Sequence, residues 1–215
     1  MNTLSNLSIL SLGFLFLFAI GEFLKTYLKV KAEWTRKFVH IGTGLLSLTF
    51  PILFENHWFV FLLCFSFLAI LLMSQKKKFL NSINGVSRKT CGATLFPVTV
   101  YFCFLLQAQT DNILYYSLPI LILTLSDPLA AIVGQKFPLG KYNILGHTKT
   151  MAGSTAFWLS AFGISWSMGI DINSSLLIAF VASIAEAVSK DGYDNLTIPS
   201  SVVIVISSLG KSIGC

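Results

Sequence analysis

Charge is what this chain has least of. Only 11% of its 215 residues are Asp, Glu, Lys or Arg, against about 25% in a soluble domain, so a globule in water is excluded for want of polar surface. Cysteine is sparse as well: Cys64, Cys91, Cys103 and Cys215 form no CxxC pair, and no histidine is spaced to complete a zinc site. They read as small apolar thiols with no redox or structural-metal role. There is no GxxxxGK[ST] phosphate loop, no internal repeat and no low-complexity tract, and nothing calls for a nucleic-acid partner. No Lys or Arg precedes the apolar run Leu7 to Ile20 and no small-residue cleavage pattern follows it, so the run reads as an uncleaved first span.

What is present is apolar: 54% hydrophobic and 13% aromatic residues, with a mean hydropathy of +0.76. The runs fall at Leu4 to Leu24, Phe38 to Phe54, Trp58 to Met73, Gly92 to Leu106, Ile113 to Val133, Ala152 to Ile170, Ser174 to Val188 and Ile198 to Leu209. Most approach the ~20 residues that carry a helix across a bilayer. The expected fold is all-α: one polytopic transmembrane domain over residues 1–215, with seven to eight helices. All but Lys211 of the 15 basic residues lie in alternate loops or at their span ends. Because Lys and Arg stay on the cytoplasmic side, those loops are expected to face the cytoplasm and both termini the other side. Lys76, Lys77, Lys78, Arg88 and Lys89 read as a patch for anionic lipid.

Ionisable groups in or beside spans are costly and therefore candidates for function. Arg36 and His40, with Lys37 between them, share one helix face and are either an interfacial anchor or a cationic site. Asp127, before Pro128, is expected to break or bend its helix; it either caps the break or holds Mg²⁺, which commonly takes one or two carboxylates plus phosphate oxygens. The stretch Gly134 to Lys141, continuing through Lys149, Thr150, Gly153 and Ser154, is either a solvated connector or a phosphate cradle at a helix N-terminus. Glu186 ends the seventh span. Asp194 is either an N-cap or, with Glu186 and Asp127, part of an acidic set for metal-bound phosphate.

In order, Arg36-Lys37 with His40 and Gly44, Arg88 with Gly92 and Pro97, Asp127 with Ala130 and Gly134, Lys149-Thr150 with Gly153-Ser154, and Glu186 followed by Asp194-Asn195-Leu196-Thr197-Ile198-Pro199 resemble the polyprenol kinase family. These are integral-membrane, CTP-dependent lipid kinases that include dolichol, phytol and yeast-type diacylglycerol kinases. The resemblance covers about residues 34–199, and the chain's length is nearer to phytol kinases. It departs from the family at Ala152, where an acid is usual, and at Gln135, where a basic residue is usual.

The resemblance implies phosphoryl transfer from CTP, or another nucleoside triphosphate, to the hydroxyl of an isoprenoid alcohol or diacylglycerol, with Mg²⁺ as cofactor. The roles it implies are catalytic for Asp127, Lys149 and His40, and metal-binding for Asp127, Glu186 and Asp194. Nucleotide and phosphate contacts would come from Arg36, Lys37, Lys141, Lys149, Thr150, Gly153, Ser154 and Asn195. Synthesis of a CDP-lipid by a cytidylyltransferase, and a non-catalytic lipid-binding or transport role, are the competing readings.

Overall fold

The computed structural model describes residues 3–77, 80–84 and 90–210; Lys78, Arg88, Lys89, Lys211 and Cys215 lie outside them. All eight expected apolar segments are helical. Four helices are long and apolar enough to cross a membrane: α1 (Thr3–Thr26), α4 (His57–Lys77), α6 (Gly92–Thr110) and a composite over Leu114–Lys136. Two more, α10 (Ile172–Val188) and α11 (Asp194–Leu209), are apolar but shorter. The segment expected at Phe38 to Phe54 is two helices, α2 (Ala32–Ser47) and α3 (Phe50–Leu53), and the one at Ala152 to Ile170 is α9 (Met151–Ser167). Pro51 sits in the first turn of α3, where its missing N–H costs no helical hydrogen bond. A short turn of helix, α5 (Asn81–Asn84), is tied to α1 because Glu22 Oε2 accepts the Ser82 N–H at 2.9 Å.

Of the break or bend expected at Asp127-Pro128, the composite helix excludes the break. It runs as α7 (Leu114–Leu121), one π-helical turn (Ile122–Ser126) and α8 (Asp127–Lys136). Pro128 falls in the first turn of α8, and the wider π turn just upstream absorbs the mismatch, so the chain stays helical. Against this turn α2 packs backbone to side chain: a Cβ built on Gly44 would stand 2.1 Å from Thr124 Oγ1. One helical turn earlier on α2, His40 Nε2 donates to the Leu123 carbonyl at 3.3 Å. In the neutral ring the proton therefore sits on Nε2, and Nδ1 is left as an acceptor.

The stretch read as a glycine- and lysine-containing connector is in part a β-hairpin, β1 (Lys141–Ile144) and β2 (His147–Thr150), paired antiparallel from Lys141↔Thr150 to Ile144↔His147. Leu145 and Gly146 both have positive φ, 48° and 80°, which is the two-residue turn whose twist matches a hairpin. The strands were not foreseen because four-residue strands with one lysine each carry no alternation signal.

The buried core joins these pieces. Tyr116, Phe104, Phe157, Leu118 and Ile120 are almost fully enclosed, and the Tyr116 hydroxyl is satisfied by the Ser47 carbonyl at 2.6 Å, as a buried phenol requires. Leu, Phe, Ile and Trp side chains cover much of the outer surface, the surface a hydrocarbon solvent selects.

Candidate active site

A cavity of 540 Å³ lies between α1, α2, α4 and α6 on one side and α8, β2, α9, α10 and the start of α11 on the other. Its wall holds Arg36, Lys37, His40, Asp127, Lys149, Thr150, Gly153, Ser154, Glu186, Asp194 and Asn195. Residues spread over 160 positions of sequence therefore meet in one space, and of those given a catalytic, metal or phosphate role from the sequence only Lys141 is absent from the wall: it stands exposed in β1.

The hairpin places Lys149. Its ammonium forms an ion pair with Glu186 Oε1 and donates to the Glu186 backbone carbonyl at 2.8 Å. Glu186 is 6% exposed, and its second oxygen, Oε2, has no hydrogen-bond partner. Thr150 is the N-cap of α9, accepting the Gly153 N–H at 3.1 Å, which satisfies a donor that helix starts leave orphaned. Ser154 is bonded to the Tyr142 hydroxyl at 2.6 Å, so the hairpin is pinned to the helix it precedes. Gly153 packs where α9 crosses α8, its would-be Cβ 2.9 Å from the Ala130 carbonyl.

Asp194 is not an N-cap. It is the first residue of α11, and its Oδ1 accepts from the Asn195 N–H at 2.9 Å and Asn195 Nδ2 at 3.0 Å. The loop before it is fixed to α6 because the Asp191 carbonyl accepts the Cys91 N–H at 2.8 Å. Asp127 feels the charges of Asp194 and Glu186 and, with opposite sign, those of Lys149 and Arg36. Three acids, Asp127, Glu186 and Asp194, thus share one space with the bases Arg36 and Lys149.

Among the described residues, three buried polar atoms in the wall, Arg36 Nε, Glu186 Oε2 and Asn195 Oδ1, find no hydrogen-bond partner. A native interior leaves few such groups, and one cationic donor and two oxygen acceptors in the same wall leave hydrogen-bonding capacity for a polar ligand. No group of three His, Cys, Asp or Glu among the described residues is close enough to cage a metal alone. Mg²⁺ normally completes its shell with phosphate oxygens and water, so the wall carboxylates Asp127, Glu186 and Asp194 could serve only a metal that brings oxygen ligands of its own.

Several wall residues were not singled out from the sequence. Glu33 accepts from Gln135 Nε2 at 2.7 Å, so the departure at Gln135 links the start of α2 to the end of α8. Ala152, the other departure, is absent from the wall. The larger omission is mostly apolar: Phe14 and Phe18 on α1, Phe50 on α3, Leu63, Cys64, Phe67 and Leu71 on α4, and Phe96 and Val100 on α6, with the hydroxyl-bearing Thr43 and Ser47 on α2, extend the cavity away from its charged end. On helices that are apolar all round, inward positions carry no contrast with outward ones.

No family profile and no solved structure matches the chain. It is 27% identical to the phytol kinase of Synechocystis sp. over 183 residues, 81% of this chain and 78% of the relative, a similarity that supports a relationship to the polyprenol and phytol kinases.

Proposed function

We propose that this chain is a membrane lipid-alcohol kinase that transfers the γ-phosphoryl group of a nucleoside triphosphate, CTP by family resemblance, to the hydroxyl of an isoprenoid alcohol. The observation that carries the reading is the two-part cavity: a charged end with unpartnered donor and acceptor atoms, continuous with an apolar arm. An amphiphile with a reactive hydroxyl and a phosphate donor are the two ligands such a space accommodates together. The similarity to a phytol kinase points to the same pair. The distribution of Lys and Arg suggests that the charged end faces the cytoplasm, where the nucleotide is found.

Phosphoryl transfer asks the protein for positioning and charge stabilisation more than covalent chemistry. In this reading the alcohol oxygen attacks the γ-phosphorus, the bond to the β–γ bridging oxygen breaks, and the alcohol proton passes to the Asp127 carboxylate. Arg36 and Lys149 hold phosphate oxygens, Lys149 leaving Glu186 to do so. His40, its Nε2 held by the Leu123 carbonyl, offers Nδ1 to orient the hydroxyl. Asp127, Glu186 and Asp194 are the residues that would hold Mg²⁺, which neutralises charge building up on the β- and γ-phosphates.

The test is to incubate protein purified in detergent with Mg²⁺, a panel of lipid alcohols and CTP labelled at either the γ- or the α-phosphate. Label reaching lipid from the γ-position alone is the expected result. Label from the α-position would establish cytidylyl transfer instead, and no labelled lipid in conditions where a phytol kinase works would refute the proposal.

A further inference from the structure

The apolar arm has a floor. The last wall residue along each bounding helix is Phe14 on α1, Phe50 at the start of α3, Leu63 on α4 and Val100 on α6. The next inward residues on those helices are buried in packed core beneath. Phe50 closes the end, its ring 6.0 Å from that of Phe14 and 6.1 Å from that of Phe54 below it. Phe14 is in turn 4.9 Å from Phe67, which joins α1 to α4.

Depth follows from the helix itself. His40, at the charged end, stands seven residues before the end of α2 at Ser47, about 10 Å at 1.5 Å per residue, and Phe50 lies beyond the turn at Leu48 and Thr49, so the arm is roughly 15 Å deep. A staggered carbon chain of ~1.5 Å bonds at ~111° advances about 1.25 Å per bond, so about twelve chain carbons fill that depth fully extended. Each isoprene unit contributes four of them, and bends shorten the chain.

We infer that this arm is a molecular ruler: it takes the tail of an alcohol of three to four isoprene units, and the Phe50 floor excludes longer ones. The inference rests on the lipid-alcohol kinase reading and supplies its acceptor class. Apolar depth discriminates through burial of whole groups, and each methylene gained or lost changes selectivity by about tenfold or more.

The experiment measures kcat/KM for alcohols of two, three, four, six and nine units with wild type, Phe50→Ala and Cys64→Phe, the last placing a ring in the arm just above its floor. The expected wild-type profile peaks at three to four units and is at least about tenfold lower at six. Phe50→Ala should raise the six-to-three-unit ratio by about tenfold, and Cys64→Phe should lower the four-to-two-unit ratio similarly. Ratios within one variant cancel any general loss of folded protein. Identical profiles in all three proteins would overturn the ruler while leaving the kinase reading intact. In parallel, thermal stabilisation of each protein by the same alcohols reads binding without turnover. Length-dependent stabilisation with no phosphoryl transfer supports the ruler and refutes the kinase; stabilisation independent of length refutes the ruler.

Discussion

Gly44→Ala tests the contact on which the charged end is built. A Cβ at this position falls 2.1, 2.5 and 2.8 Å from Oγ1, Cγ2 and Cβ of Thr124, whereas carbon contacts are comfortable at about 3.5 Å. Thr124 is β-branched within a helical turn and cannot rotate aside cheaply, so α2 and the π turn must part by about 1 Å or more. Overpacking of this kind costs about 1–3 kcal/mol, a fall of roughly 3 to 9 °C in melting temperature for a chain of this size. The same displacement takes the Leu123 carbonyl, now 3.3 Å from His40 Nε2, out of hydrogen-bond range and moves Asp127 with it. A misplacement of ~1 Å near the chemistry costs about 100-fold in rate. Thr124→Ala removes the two nearer atoms and leaves only Cβ at 2.8 Å. Because Thr124 Oγ1 has no partner to lose, the double variant should recover much of the stability and rate. The assays are thermal unfolding in detergent and γ-phosphoryl transfer. A Gly44→Ala protein with wild-type melting temperature and rate, or one made worse by Thr124→Ala, would refute the reasoning.

Three further outcomes follow from particular contacts. Lys149→Met strands a buried carboxylate at Glu186, so it should destabilise by about 3–5 kcal/mol and abolish transfer; Lys149→Met with Glu186→Gln should regain stability but not activity, as unfolding and labelled-CTP assays would show. Leu145→Asn should stabilise the hairpin by about 1 kcal/mol, since Asn tolerates the positive φ of 48° that leucine resists; an unchanged or lower melting temperature counts against the turn. Asp171 caps α10 by accepting the Ser174 N–H at 3.1 Å, and bonds from the Ser174 hydroxyl and N–H hold its carboxyl below the usual carboxylate range. A folded value below the unfolded one means the cap contributes fully above the ordinary range and is lost as pH falls through the folded value. Wild type and Asp171→Ala should therefore differ in melting temperature at pH 7, and the gap should narrow as pH falls below the ordinary carboxylate range through the folded value; a constant gap would show that ionisation is not involved.

Much of the charged end could be read from the sequence because charge in an apolar chain is conspicuous. Arg36, His40, Asp127, Lys149, Glu186 and Asp194 stood out one by one, and the cavity gathers them all. Their pairing was not readable. That Lys149 binds Glu186 depends on how a hairpin folds back onto α9 and α10, and 37 residues of separation say nothing of it. How the helix would accommodate Asp127-Pro128 was equally unreadable: proline forbids an α-helical hydrogen bond upstream but does not decide between a gap, a bend and a π turn, and the chain takes a π turn where Thr124 packs against Gly44. The apolar arm was invisible because Phe14 and Phe67 line it while Phe16 and Phe65, two positions away, face outward.

The π turn also sets a phase. Each residue advances an α-helix by about 100°, so the one extra residue held at Ile122–Ser126 rotates α8 relative to α7 by roughly that angle. The upstream half can thus turn Leu118 and Ile120 into packed core while the downstream half turns Asp127 toward the cavity. Deleting a single residue from this turn would leave every remaining side chain chemically intact, yet turn the Asp127 carboxylate away from the cavity by roughly 100° and set Pro128 against an α-helical carbonyl again. The irregularity is the aiming device, and regularising it would cost the site its bearing.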